Sequence, residues 1–389
     1  MKAVFFDYNI NFGGAPRGSV SLCSLLQSSG EEVIIYDVYG KNNNYVNFIS
    51  EKKVPMRVIL PESKKLFIGG TGKFKRLLNM MLWLPDFIRI VLRTRALLKT
   101  DNVDLVWVNN NKSLVTISFA AFGLRAKKIL YHRGWATEQS IGIWFRFFIL
   151  CQCDALIGHS KATVKNLSNL FPFKKVFYVP NSVSIKSKAS LPLTVNSAKN
   201  DFVVLLPAAR PVREKGHHTA VMALAKLVEK GFHNVSLYFP GEVAVGVSDK
   251  YFADLKALIK SLGLSDRVKF IGWLDSLDEV IKESSVVILP SHTEGFPRVI
   301  IESMLLGTPV VATPVGGIPE AIVHNETGLI VNVEDVDMLA NAISFLILNP
   351  EHSCRMASNA YNFAMSNFSQ EKQLLGIKQI FSEVLANAR

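Results

Sequence analysis

Cysteine is scarce in this chain of 389 residues. Cys23, Cys151, Cys153 and Cys354 are too few and too scattered for a disulfide framework, and Cys151-Gln-Cys153 lacks the paired spacing of a zinc site. A reducing compartment fits that usage. No run of 18 apolar residues occurs, so no membrane-spanning helix is expected. The opening Met1-Lys2-Ala3-Val4-Phe5-Phe6-Asp7 meets an acid too soon for the apolar core of a signal peptide. Zinc-finger spacings, the aromatic signature of RNA-binding sheets and a helix-turn-helix pattern are missing, which argues against nucleic acid as a partner. Charged residues are only 20% of the chain against 49% apolar, the balance of a globular protein rather than a disordered one. A cytoplasmic protein of about two domains is the expectation.

Charge is present but unevenly placed. Residues 1–190 hold 27 Lys and Arg against 11 Asp and Glu, a net of +16, whereas residues 191–389 hold 17 against 21, a net of −4. Short apolar runs alternate with helical patterns, which predicts parallel sheets wrapped by helices. Strands are expected at Lys2–Asp7, Val33–Val38, Met56–Leu60, Leu105–Asn109, Lys128–His132, Ala155–Gly158 and Lys175–Val179. A second set follows at Phe202–Leu206, Val235–Phe239, Val268–Ile271, Val286–Leu289, Pro309–Ala312 and Leu329–Val331. A Ser-, Lys- and Asn-rich stretch between the sets reads as a linker. The division is a basic N-terminal domain over 1–185, a linker over 186–200 and a C-terminal domain over 201–389, whose last helix is a candidate to pack back on the first domain. The fold class is α/β, two Rossmann-like doubly wound parallel-sheet domains facing across a cleft lined by strand carboxyl ends.

Three segments suit chemistry at such strand ends. In Leu289-Pro290-Ser291-His292-Thr293-Glu294-Gly295-Phe296-Pro297-Arg298-Val299-Ile300-Ile301-Glu302, a buried strand runs into a polar turn and then a helix opened by Pro297. Glu294 falls in the loop and Glu302 on the helix. Eight residues span roughly 12 Å at the helical rise, too far for the ~5 Å carboxylate pair of a retaining hydrolase and better suited to holding two ends of one extended ligand. Pro207-Ala208-Ala209-Arg210-Pro211-Val212-Arg213-Glu214-Lys215-Gly216 places cations at a helix start, where backbone amides and the helix dipole also favour an anion such as a diphosphate. Asn11-Phe12-Gly13-Gly14-Ala15-Pro16-Arg17-Gly18 follows the first strand and lets backbone approach an anion, without completing a dinucleotide-binding fingerprint.

Glu-x7-Glu, with Gly-Phe-Pro after the first acid and Gly-Thr-Pro-Val-Val-Ala after the second, resembles the retaining nucleotide-sugar glycosyltransferases of the GT-B fold, the large fourth glycosyltransferase family. Phe270-Ile271-Gly272-Trp273, Gly316-Gly317-Ile318-Pro319-Glu320 and Gly328-Leu329-Ile330-Val331 extend the likeness, which is strong after residue 200 and loose before it. The resemblance implies that Glu294 contacts donor sugar hydroxyls and Glu302 the ribose, beside Gly295, Phe296 and Pro297. It implies that Arg210 and Lys215 grip the diphosphate, that Gly13 and Gly14 face the donor phosphates and the acceptor, and that His132 points toward the donor sugar. It further implies retention of configuration and no cofactor or metal, and no carboxylate pair is read as placed to hold an ion. Ala209 stands where the family has glycine, and Pro180-Asn181-Ser182 where it has Pro-Asn-Gly. His159, His217 and His218 are read as structural.

A last feature lies between Lys52 and Lys99, where twelve Lys and Arg meet only Glu62 and Asp86. Met80, Met81, Leu82, Trp83, Leu84, Phe87, Ile88 and Ile90 interleave with Lys73, Lys75, Arg76, Arg89, Arg93 and Arg95, a pattern suited to a helix in an anionic membrane interface, with Pro85 kinking or dividing it. Ile143-Trp144-Phe145-Arg146-Phe147-Phe148 is a candidate for the same surface. The partners expected are a nucleotide-sugar donor, a glycan or lipid-linked acceptor and the inner face of the plasma membrane through Lys52 to Arg95. The activity expected is hexosyl transfer in surface polysaccharide or glycolipid assembly. The rivals are a nucleotide-sugar epimerase or sugar phosphorylase on the same fold, and an inactive membrane-associated scaffold.

Overall fold

The computed structural model describes residues 1–9, 12–63, 73–137, 141–183, 201–207, 211–241 and 249–386, with the side chains at 73–78, 80 and 249 outside that description. The expected linker over 186–200 and Arg210 therefore lie outside the described residues, and the side chains of Lys73, Lys75, Arg76 and Met80 are likewise not described. The chain forms two units, Met1–Asn181 with Gln370–Arg389 and Ser182–Ser369. Among the described residues no helix is long and apolar enough to cross a membrane.

In the first unit β1 (Lys2–Asp7), α1 (Gly14–Ser28), β2 (Glu32–Asp37), α2 (Asn43–Glu51) and β3 (Met56–Val58) lead to the long α3 (Lys73–Thr100). Then come β4 (Leu105–Val108), α4 (Asn111–Ala120), β5 (Lys127–His132), α5 (Ile143–Gln152), β6 (Ala155–Gly158), α6 (Lys161–Leu170) and β7 (Val176–Tyr178). The second unit holds β8 (Phe202–Leu205), α7 (His217–Glu229), β9 (Val235–Pro240), α8 (Asp249–Ser261), β10 (Val268–Gly272), α9 (Asp278–Glu283) and β11 (Val286–Leu289). It continues through α10 (Arg298–Leu306), β12 (Val310–Ala312), α11 (Ile318–Ala321), β13 (Leu329–Ile330), α12 (Val336–Leu348) and α13 (Pro350–Asn367), before α14 (Gln370–Ala386) returns to the first unit.

All strand pairs in both sheets are parallel, in the orders β3-β2-β1-β4-β5-β6-β7 and β10-β9-β8-β11-β12-β13. Central strands β4, β6 and β11 are buried at every residue. That follows from helices covering both faces, and it is why they read as unbroken apolar runs rather than as alternation. In β1 the pleat sends Val4 and Phe6 into one core layer and Ala3 and Phe5 into the other. Each sheet reverses its winding once, between β1 and β4 and between β8 and β11, the places where doubly wound sheets open to ligands beyond the strand ends.

Helix α14 joins the first unit through apolar contact on the second core layer. Phe381, 1% exposed, lies 5.5 Å from the Trp107 ring of β4, and Ile377 and Val384 fill the same layer. Polar ties frame it: Gln373 Nε2 donates to the Pro180 carbonyl at 3.0 Å, and Lys378 Nζ stands 3.2 Å from Glu31.

Helix α3 departs from the sequence reading in two ways. It runs unbroken past Pro85, which sits on the exposed face, where the carbonyl it leaves without an amide partner can be solvated. Trp83 and Phe87, expected on an outer face, turn inward. Phe87 packs on Trp83 at 5.2 Å and on Phe119 at 5.9 Å. Helical period decides this: residues 83, 87, 90, 94 and 97 share the stripe that meets the core, leaving Met81, Leu82, Leu84, Ile88 and Leu92 outside.

Candidate active site

The loops leaving β8 and β11 carry most of the residues that sequence assigns to a donor. Glu294 stands in the loop between β11 and α10 with its side chain only 10% exposed. Its Oε1 accepts from Lys215 Nζ at 2.7 Å and from Ser291 Oγ at 2.8 Å. Lys215 closes the 3₁₀ turn Arg213–Lys215, and Gly216, at φ +71°, starts α7.

Backbone contacts fix this loop from two sides. A Cβ on Gly216 would lie 2.0 Å from the Pro290 carbonyl oxygen, and one on Gly316, at φ +60°, would lie 1.9 Å from the Glu294 carbonyl oxygen. Both positions therefore require glycine, for conformation and for clearance. The amide of His292 donates to the Glu214 carbonyl at 2.8 Å, that of Gly317 to the Gly295 carbonyl at 2.6 Å, and Thr313 Oγ1 to the Ser291 carbonyl at 2.6 Å. The carboxylate is thus held by a lysine, a hydroxyl and a loop whose backbone has little room to move.

The other expected residues fall around it with varied parts to play. Glu302 lies on α10, its Oε1 3.8 Å from Arg298 Nε one turn earlier. Pro297 is the cap residue before α10 rather than its first helical residue. The Phe296 ring is 5% exposed and packs on Phe368 at 5.2 Å, so it belongs to the core and only its backbone is available to a ligand. Arg210 lies outside the described residues. His217 is 1% exposed and packs on Phe239 at 4.9 Å, and burial depresses its imidazole pKa to about 4. The reading that the chain has no Asp-x-Asp motif is corrected by Asp335-Val336-Asp337, which serves α12: Asp335 accepts from the Met338 amide at 2.8 Å, and Asp337 lies 3.5 Å from Lys226.

In the first unit the strand ends hold a second group. Gly13 caps α1 and Gly14 is its first residue; an added Cβ at either would meet nothing within 4 Å, so glycine there gives room rather than a required bend. His132 ends β5. Its carbonyl accepts from His159 Nδ1 at 2.9 Å, and its own Nε2 is buried with no hydrogen-bond partner among the described residues. Burial lowers the His132 pKa, opposed by a hydrogen bond to the Trp135 backbone.

Sequence reasoning weighed Asp37 only as an ambiguous candidate for a ribose-binding acid and missed Asp7 and Lys112. Asp7 and Asp37, at 5% and 0% exposure, end β1 and β2. Burial, and for Asp7 the nearby Asp37, raise their carboxyls to about 7 and about 6, against the hydrogen bonds that Asp7 accepts from Tyr8 N and Asn110 Nδ2 and that Asp37 accepts from Gly40 N. Lys112, opening α4, holds its ammonium 4.1 Å from the Tyr8 ring centre, 5.1 Å from Trp83 and 5.9 Å from Tyr39. Burial brings it down to about 8, with Asp7 opposing. The one signal in the sequence was an acid closing each of two apolar strands.

The fold is the GT-B fold, two parallel-sheet α/β units. A structure of Anabaena Alr3699/HepE in complex with UDP-glucose matches it with a TM-score of 0.79 at 22% identity, covering 100% of both chains. Residues 194–363 match the family model of glycosyl transferases group 1. An uncharacterized glycosyltransferase of Haemophilus influenzae is 24% identical over 366 residues, 92% of this chain and 94% of that protein. A lipopolysaccharide core biosynthesis mannosyltransferase of Rhizobium leguminosarum is 33% identical over 139 residues, 36% of this chain and 40% of its own length.

The buried acids of the first unit generate a pH prediction. Each holds its proton more tightly in the fold than in the unfolded chain, where carboxyls titrate near 4. The stability this contributes is complete below about pH 4 and is lost as pH rises through about 6 and 7. Asp7→Asn keeps an acceptor for Tyr8 N without the charge. Its urea midpoint is expected to decline less than the parent's between about pH 5 and pH 8; parallel declines would show that Asp7 is not held protonated.

Proposed function

We propose that the chain is a retaining hexosyltransferase of the fourth family that takes its sugar from a nucleoside diphosphate donor. The acceptor is a lipid-linked or growing glycan in surface polysaccharide or glycolipid assembly. One observation carries this reading: Glu294, nearly buried, is held by Lys215 and Ser291 in a loop locked by glycines at the β8–β11 switch point. The UDP-glucose bound by the Anabaena neighbour and the lipopolysaccharide substrate class of the Rhizobium relative point the same way.

The chemistry follows from charge. Breaking the anomeric bond leaves negative charge on the departing diphosphate, which Lys215 and Arg210 offset. An ammonium has three donors, so Lys215 can keep Glu294 while serving a phosphate oxygen. Glu294, an acceptor fixed from both sides, orients sugar hydroxyls, and Glu302 takes the ribose. Within the first unit, Gly13 and Gly14 leave room for an anion and His132 offers a hydrogen-bonding imidazole. The acceptor enters on the face the diphosphate leaves. Side chains carry the positive charge, so transfer needs neither Mg²⁺ nor Mn²⁺.

The first unit also offers a surface for an anionic membrane, at part of the set the sequence pointed to, without Trp83, Phe87 and Ile90, which turn inward. On α3, Met81, Leu82, Leu84, Ile88 and Leu92 are half or more exposed. Phe119 and Phe122 continue that apolar surface beside α4, and Phe119 touches Phe148 of α5 at 5.7 Å. On α5 itself, Ile143 and Trp144 are 79% and 77% exposed. Water does not favour so much contiguous apolar surface, and the basic chain around it suits lipid headgroups rather than a neutral partner.

Two experiments test these readings. Glu294→Ala should cut turnover far more than it weakens binding of the free nucleotide, Glu302→Ala should do the reverse, and Lys215→Ala should cost on the order of 10² in turnover at saturating donor. Assays without divalent cations should run normally, and unimpaired Glu294→Ala, or a dependence on Mg²⁺, would refute the assignment. In sedimentation with liposomes, binding should require anionic lipid and weaken with salt. It should also fall both in Trp144→Ala/Phe147→Ala and when Lys73, Lys75 and Arg76 are neutralised. Equal sedimentation with neutral vesicles, or none with either, rules the surface out.

A further inference from the structure

Three residues to which the sequence reading gave no catalytic or binding part meet beside the Glu294 loop. His218 is the second residue of α7, His292 lies in the loop after β11 and Glu334 in the loop after β13. Their ligating atoms lie within 4.8 Å of one another. Nε2 of His292 is 3.7 Å from Glu334 Oε1, and Nε2 of His218 is 3.9 Å from the same oxygen. We propose that these three side chains form a binding site for a borderline transition-metal ion, zinc being the best match, distinct from the residues assigned to sugar transfer.

The donor set selects the ion. Two imidazoles and one carboxylate suit zinc, whereas Mg²⁺ and Ca²⁺ prefer oxygen throughout. With bonds of about 2.0 to 2.1 Å, tetrahedral ligand atoms stand about 3.4 Å apart, so each imidazole needs to close on Glu334 by about half an ångström or less and the two imidazoles on each other by no more than about 1.4 Å. His292 Nε2 is buried and has no hydrogen-bond partner among the described residues, a lone pair that a cation would satisfy. Nδ1 of His218 lies 3.2 Å from the Tyr251 hydroxyl. An imidazole that donates from Nδ1 to an outer partner presents its Nε2 lone pair to a metal, the usual second-shell arrangement. Three protein ligands leave a fourth position for water or a ligand oxygen.

One group opposes the ion. Arg213 Nη2 stands 3.6 Å from Glu334 Oε1, and a guanidinium cannot share that oxygen with zinc at close range. Its side chain is 69% exposed and can swing into water at little cost. The alternative is a plain ion-pair cluster in which Glu334 serves Arg213. Glu294 is not a ligand, since its Oε1 is taken by Lys215 and Ser291. A bound ion would pin the β11 loop to the start of α7, because His292 and His218 come one from each.

The test is direct binding. ZnCl₂ titrated calorimetrically into chelator-treated full-length chain should give one site per chain, with no comparable heat from MgCl₂. Co²⁺ in its place should show the visible bands of a tetrahedral nitrogen and oxygen site, without the intense thiolate absorption that a site at the exposed Cys151 would give. Glu334→Gln, at an exposed position that tolerates the change, should weaken zinc at least tenfold with an unchanged circular dichroism spectrum, and His218→Ala/His292→Ala should abolish the site. Absence of zinc binding, a thiolate spectrum, or affinity unchanged in Glu334→Gln would each overturn the proposal.

Discussion

The contact on which the second unit's chemistry depends is between two backbones. Gly316 approaches the Glu294 carbonyl so closely that no side chain fits, and Gly216 does the same to Pro290 on the other flank. Between these supports the loop has one course open to it, and that course aims a carboxylate at a lysine and a serine. A loop that positions a charged group usually gives up side-chain and backbone entropy when ligand arrives. Here that ordering is built into the fold, and binding energy need not be spent on it. The local strain of two left-handed residues is carried by glycine, which tolerates it.

The two units handle charge differently. In the second, the ionic groups at the strand ends are paired: Glu294 with Lys215, Arg298 with Glu302, Arg213 with Glu334. In the first, burial dominates, raising Asp7 to about 7 and Asp37 to about 6 and leaving Lys112 weakly basic among aromatic rings. Burial makes a full charge at these first-unit acids unfavourable, whereas an opposite charge close by offsets it at the paired groups of the second.

Much of the fold was legible because parallel strands buried on both faces announce themselves as apolar runs. β4, β6 and β11 are cases in point, and all thirteen expected strands are present within a residue or two at their ends. Glu294 and Lys215 were legible from motif, but their contact was not, since 79 residues separate them. Ser291, the second partner, looked like any turn serine. Helix α3 misled for a local reason: an apolar residue among cations says nothing of which way it faces until the helical phase is fixed by Trp83 and Phe87 packing inward. His218, His292 and Glu334 could not be joined on paper, because the start of α7 and two loops at different strand ends bring them together only in the folded sheet.

Rigidity of the Glu294 loop is the central requirement, and Gly316→Ala probes it without touching a functional group. Its methyl must displace the Glu294 backbone, and a shift of about 1 Å at a reacting centre costs on the order of 10² in rate. The donor would be whichever nucleotide sugar, among those of UDP, GDP, ADP and CMP, most raises the melting temperature of the parent chain. Gly142→Ala, where an added Cβ meets nothing within 4 Å, is the control. Gly316→Ala is predicted to keep its circular dichroism spectrum and lose kcat/KM by that order while Gly142→Ala does not; a Gly316→Ala enzyme as fast as its parent would contradict the assigned role of the loop.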